Sequence, residues 1–262
     1  MRLEGLRKTG IALAIVTGGL VSAAGARAQV NTETLRKRIK AVGYSIILEE
    51  SVTGDLGNTQ GISLGTGGGG GWASDPHLIF AYARFDYTKY SGTTSVNKTF
   101  AHARYNYEFA PWIWGEAFAQ LQSDEFQRLD LRNLFGVGPR VRFFRATGNT
   151  PEKDANVKAP TQTFDMFVGT AYMFERDVIT AQVGATGPEN QNIQIWHRWS
   201  NYVTLQWQID PRAIISTTMY VQPAFNKFSN VRLLDESILT FALTKLFAAG
   251  ITATVRYDSE PP

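Results

Sequence analysis

Cysteine is absent from the 262 residues, which excludes disulfides, thiolate metal sites and a cysteine nucleophile. Long apolar runs are scarce as well. Past Ala28 no stretch reaches the roughly 20 apolar residues that a spanning helix needs, so a helical membrane protein is excluded. The three histidines, His77, His102 and His197, lie far apart, and nothing has a metal-ligand spacing such as HExxH. A charge excess is also missing from the body of the chain. The first 28 residues carry Arg2, Arg7, Lys8 and Arg27 against Glu4, and without them the 26 basic and 23 acidic residues become 22 and 22. Neither nucleic acid nor an anionic surface is called for as a partner.

That first segment reads as a secretory signal peptide: a basic start, the apolar stretch Ile11 to Val21, and the small-residue close Ala26-Arg27-Ala28. Cleavage is expected after Ala28. Residues 29–42, with Glu33, Arg36, Lys37, Arg38 and Lys40, form a charged periplasmic lead-in to which no function is assigned. Residues 43–262 are then one large β domain.

The dominant signal is alternation of polarity. Between Thr99 and Phe144, Ala101, Ala103, Tyr105, Tyr107 and Phe109 oppose His102, Arg104, Asn106 and Glu108; Ile113, Gly115, Ala117, Ala119 and Leu121 oppose Glu116, Gln120 and Gln122. Further on, Leu129, Leu131, Phe135, Val137, Val141 and Phe143 oppose Asp130, Arg132, Arg140 and Arg142, with Asn133 discordant on the apolar face. These segments run about ten residues or more, the length a tilted strand needs to cross a bilayer, whereas strands of a soluble sandwich run about five or six. Aromatic residues crowd their ends around Ala110-Pro111. The pattern predicts an all-β fold: an antiparallel transmembrane outer-membrane β-barrel. The pairs Trp112/Trp114 and Trp196/Trp199 fit its interfacial girdles better than a carbohydrate platform.

Further strands are predicted at about 43–52, 59–72, 77–90, 161–174, 195–208, 213–222, 236–245 and 251–257, with long connections at 147–160, after Phe174 through Gly187-Pro188 and Glu189-Asn190, and at 223–235, and a tight turn at 247–250. The five glycines Gly67 to Gly71 have no following helix with Lys and Ser/Thr to make a phosphate loop, and are expected at a flexible strand end or a bend in the wall. Eleven strands are readable. Bacterial single-chain barrels have even counts, so 12 are expected.

Several stretches resemble the salt-induced outer membrane protein family, the YdiY-like domain-of-unknown-function 481 family. They are His102-Ala-Arg-Tyr-Asn-Tyr107, Arg128-Leu-Asp-Leu-Arg-Asn-Leu-Phe-Gly-Val-Gly138, Ala171-Tyr-Met-Phe-Glu175, His197-Arg-Trp-Ser-Asn-Tyr202, Tyr220-Val-Gln-Pro223, Val231-Arg-Leu-Leu234 and Tyr257-Asp-Ser-Glu-Pro-Pro262. The resemblance implies an outer-membrane β-barrel of unassigned biochemical activity, and one more strand after the double proline. The expectation is therefore a last strand lost by truncation or frameshift, or replaced by the lead-in.

Alternation aims Arg104, Glu108, Glu116, Asp130, Arg132, Arg140, Arg142, Arg198 and Arg256 inward as a polar lumen cluster, most simply an ion-paired plug and otherwise a small-solute pore. Catalysis is not expected. His197 and Ser200 fall on opposite faces of one strand and cannot act as base and nucleophile. The leading reading is a non-enzymatic barrel in the cell outer membrane, serving envelope integrity, a stress response or small-solute passage. Two others are open: an outer-membrane lipid-modifying enzyme, and a soluble periplasmic β-barrel that binds an apolar ligand. Expected partners are outer-membrane lipids and, during biogenesis, the barrel-assembly machinery and periplasmic chaperones. Neither a cofactor nor nucleic acid is expected, and the sequence does not set the oligomeric state.

Overall fold

The computed structural model describes residues 43–55, 60–149, 161–181, 188–210, 212–242 and 248–260; the expected signal peptide, the lead-in and most of the 147–160 connection lie outside the described residues. Eleven strands follow one another: β1 (Gly43–Asp55), β2 (Gly61–Ser74), β3 (His77–Tyr90), β4 (Thr93–Ala110), β5 (Ile113–Asp124), β6 (Leu129–Asn149), β7 (Thr161–Thr180), β8 (Gln191–Gln208), β9 (Ala213–Ala224), β10 (Lys227–Ala242) and β11 (Ala248–Asp258). Each pairs antiparallel with the next in a single meander. Among the described residues the sheet has eleven strands, and β1 and β11 do not pair with each other, so it is not closed there.

The two faces are partitioned in the reverse sense to a soluble protein. Arg198 and Glu175 are 0% exposed and Arg132 is 1% exposed, whereas Phe143 is 71% and Ile251 69% exposed. Period-two alternation produces this directly, by sending one set of side chains to each side of the wall.

Side chains bridging non-adjacent strands require that wall to curl. Tyr202 on β8 donates from Oη to Glu116 on β5 at 2.5 Å, and the rings of Trp114 on β5 and Phe167 on β7 lie 6.0 Å apart. In a flat sheet β5 and β8 would stand about 14 Å apart with parallel side chains that never meet. Curling also sets a stagger. The cross-strand row Glu108, Trp114, Arg140, Gly169, Tyr202, Tyr220, Leu234, Arg256 starts near the end of β4 and finishes near the end of β11. It climbs from the lower rim, which holds the Asp75-Pro76 and Pro111-Trp112 turns, to the upper rim, which holds the Ser91-Gly92 and Phe225-Asn226 turns. Strands tilted against a barrel axis have this geometry.

Several expected boundaries move. β7 continues past Phe174 to Thr180, and β10 starts at Lys227 inside the expected 223–235 connection. β11 begins at Ala248, within the expected tight turn, and runs to Asp258. In β7 and β10, and at Asp258 of β11, polar residues that look like loop sequence are inward-facing strand residues. The glycine run is likewise no strand end: Gly67 to Gly71 lie within β2, in register with β1 and β3 on either side. A Cβ on Gly67 would lie 2.5 Å from Tyr82 Oη, and one on Gly69 2.4 Å from Ala81 O. The inner glycines give Tyr82 room to lie across the neighbouring strand.

Glycine has the same role where β6 passes β7. A Cβ on Gly138 would meet Thr170 O at 1.9 Å, a backbone atom that cannot swing aside, whereas one on Gly148 meets nothing within 4 Å. Gly138→Ala is therefore expected to destabilise the fold by about 1–3 kcal/mol and Gly148→Ala to leave it unchanged, read from urea midpoints of the purified protein.

Candidate functional site

The inner face carries two dense charge clusters, and a third lies near the β1 edge. The upper cluster centres on two acids of β7. Arg132 of β6 donates from Nε and Nη2 to the two oxygens of Asp177, both at 2.7 Å, and its Nε lies 3.6 Å from Glu175 Oε1. Arg198 of β8 donates from Nε to Glu175 Oε2 at 2.8 Å, and Arg232 of β10 donates from Nη1 to Glu175 Oε1. Nε of Arg232 then donates to Asp258 of β11 at 2.7 Å. Three guanidiniums thus face three carboxylates, and five strands are bound into one network.

The Nη1 donors of Arg198 are taken by backbone. Its Nη1 donates to Gln222 O at 3.2 Å and Asn230 O at 3.4 Å, while Gln222 Nε2 donates to Ser200 Oγ at 2.8 Å. Buried charges are tolerated only with such dense pairing.

The lower cluster centres on Glu116. Asn106 Nδ2 donates to it at 2.8 Å, Tyr202 Oη donates at 2.5 Å, and Arg104 and Arg140 lie 3.8 Å and 3.7 Å from its oxygens. Arg140 also stacks over the Phe167 ring at 4.2 Å and Arg104 over Phe118 at 5.3 Å, which holds both planes in place. Nearer the rim, Trp114 Nε1 donates to Glu108 at 2.8 Å, and Arg142 pairs with Asp165 at 3.5 Å. By the β1 edge, Arg84 pairs with Asp86 at 2.7 Å and Glu49 at 3.5 Å, and Tyr82 Oη donates to Glu49 at 2.7 Å.

Of the expected lumen residues, Arg104, Glu116, Arg132, Arg140 and Arg198 are buried on the inner face, and Glu108, Arg142 and Arg256 are half-buried there. Asp130 is a correction. The β6–β7 ladder shifts register between Leu129 and Leu131, and the β5–β6 ladder between Gln122 and Asp124. These irregularities turn Leu129 inward at 0% exposure and leave Asp130 exposed, where it accepts from Gln191 Nε2 at 3.0 Å. Two girdle assignments also change: Trp114 is buried inside, and Trp196 lies under Arg198 at 5.6 Å. Trp112 and Trp199 face outward, at 56% and 45% exposure.

Glu175, Asp177, Arg232 and Asp258 were not anticipated. The available signal was their even spacing from inward neighbours: Glu175 and Asp177 continue the parity of Phe167, Ala171 and Met173, and Asp258 continues that of Arg256. His197 and Ser200 do fall on opposite faces. His197 contacts Tyr172 outside, while Ser200 accepts from Gln222 inside.

A family model described as "Protein of unknown function, DUF481" matches residues 51–262. The chain belongs to the DUF481 family. Comparison with curated proteins and with solved structures returns no match. The upper cluster lies wholly inside the DUF481 match, and the stretches that resemble the family supply its members apart from Asp177. Arg132, Glu175, Arg198, Gln222, Arg232 and Asp258 come from six separate segments of that kind.

Removing one partner of a buried network strands the others in a low-dielectric interior. In this DUF481 chain Glu175→Ala leaves three guanidiniums short of a counter-charge and is expected to cost about 3–5 kcal/mol. Asp130→Asn, at the exposed site, is expected to change stability by less than about 0.5 kcal/mol. Urea titrations of the two purified variants side by side make the comparison.

Proposed function

We propose that the chain is a non-enzymatic transmembrane barrel of the bacterial outer membrane, exported by its first 28 residues, which contributes to envelope integrity as a closed wall rather than an open pore. The observation that carries this reading is the outer surface. Between an upper group of rings, Tyr172, His197 and Phe225, and a lower group, Trp72, His77, Tyr105, Tyr107 and Trp207, the outward residues are mainly apolar. On β8 the two groups are marked by His197 and Trp207, ten residues apart. At about 3.3 Å per residue and a tilt near 40°, that is about 25 Å of height, the apolar band of an outer-membrane barrel.

The interior supports a wall over a channel. Arginine planes in both clusters are fixed by bidentate, backbone and stacking contacts, so their charges are committed to each other rather than to a passing solute.

Fractionation tests the location. The full chain is expected in the outer membrane after a carbonate wash, as a compact, faster band on unboiled SDS gels that slows on boiling; release by carbonate would favour the soluble periplasmic binder. Purified protein in a planar bilayer is expected to carry no steady ionic current, and a reproducible conductance step would overturn the closed wall.

A further inference from the structure

The outer wall is not uniformly apolar, and this inference rests on the membrane reading above. On β3, β4 and β5 the outward residues at mid-strand are Ala81, Ala83, Ala101, Ala103, Ala117 and Ala119. On β7 to β10 the same band holds hydrogen-bonding groups. Thr170 Oγ1 donates to Asn201 Oδ1 at 2.8 Å and accepts from Trp199 Nε1 at 2.7 Å. Asp235 accepts from Thr217 Oγ1 at 3.0 Å, and Ser237 Oγ donates to Thr217 Oγ1 at 2.8 Å. Their outward sense follows from their neighbours, since Trp199, Val203, Met219, Val221 and Leu233, of the same parity, are all exposed.

Both groups sit near the middle of the band. Asn201 lies between His197 and Trp207, and pairs with Val221, which pairs with Leu233. Crossing two strands climbs about 6 Å toward the upper rim, and stepping from Leu233 to Asp235 descends about 5 Å, so Asn201 and Asp235 lie at one height. A carboxylate and a carboxamide at mid-bilayer are costly against lipid chains. Neither has used its full capacity: one amide N–H of Asn201 goes to Trp199 O at 3.2 Å and a second remains, and a carboxylate accepts more than two hydrogen bonds.

We infer that the outward face of β7 to β10 is the contact between two copies of this chain, related by a two-fold axis that runs parallel to the barrel axis, outside the wall beside Val221. Such an axis exchanges left and right at constant height. It therefore brings the Thr170/Asn201 side of one copy onto the Thr217/Ser237/Asp235 side of the other, and Asn201 donates to the partner copy's carboxylate twice over. The interface hides from lipid the polar atoms that the β3 to β5 face does not have.

Because the chain has no cysteine, a single introduced thiol reports its own contacts. Val221→Cys and Ala103→Cys are placed separately in the full chain, outer membranes are oxidised with copper phenanthroline, and non-reducing gels are run beside the carbonate wash. Val221→Cys is expected to give a band of twice the monomer mass and Ala103→Cys none. Adding Asn201→Leu and Asp235→Leu to Val221→Cys is expected to abolish the dimer while the unboiled monomer keeps its compact mobility. A carbonate-resistant monomer that never cross-links through Val221→Cys, equal cross-linking from both positions, or an adduct of some other mass overturns the dimer and leaves the membrane reading standing. Extraction of every variant by carbonate removes both.

Discussion

Glu175 holds the structure's central constraint: one fully buried carboxylate ringed by Arg132, Arg198 and Arg232. Guanidiniums on β6, β8 and β10 converge on one point of β7 only if the meander bends around that point. That curl also brings Tyr202 to Glu116 in the lower cluster, and Arg232 carries the network on to β11 through Asp258. Hydrophobic burial has the secondary role here. The cohesive interior is largely ionic and hydrogen-bonded, with smaller apolar clusters such as Ile47, Phe80, Tyr82 and Phe100, and many of the other apolar side chains are turned to the surroundings.

That inversion explains why so many inner positions are glycine or aromatic. A lumen lined by long arginines needs small residues opposite its rings, as where Phe118 covers Gly136 and Tyr202 covers Gly169, each pair directly cross-strand. The rings then serve as stacking surfaces for the guanidiniums, with Arg104 on Phe118 and Arg140 on Phe167. Packing and charge are thereby settled by the same residues.

The all-β class, the antiparallel order and the inward sense of Arg104, Glu116, Arg140 and Arg198 were legible in the sequence, because each lies in a segment of unbroken alternation. The upper cluster was largely hidden. Glu175 and Asp177 follow Phe174, where the pattern reads as a loop approaching Gly187-Pro188, and Arg232 follows Pro223, a residue that usually ends a strand. Here Pro223 sits inside β9, paired with Val231. Asp130 failed for the opposite reason. Perfect alternation on paper is broken in space by irregular pairing at the start of β6, which no single-strand pattern records. Trp114 shows a third limit, since a tryptophan beside a rim turn satisfies the girdle pattern whichever way it points, and its parity with Glu116 and Gln120 places it inside, where it donates to Glu108.

The order in which the upper cluster's charges occur along the chain bears on how such a wall is put together. Read from the N-terminus the network is Arg132, Glu175, Asp177, Arg198, Arg232, Asp258. Its running charge goes from plus one to zero, to minus one, to zero, to plus one and back to zero. A barrel assembled strand by strand in this sequence never accumulates more than one unbalanced charge at that level of its lumen.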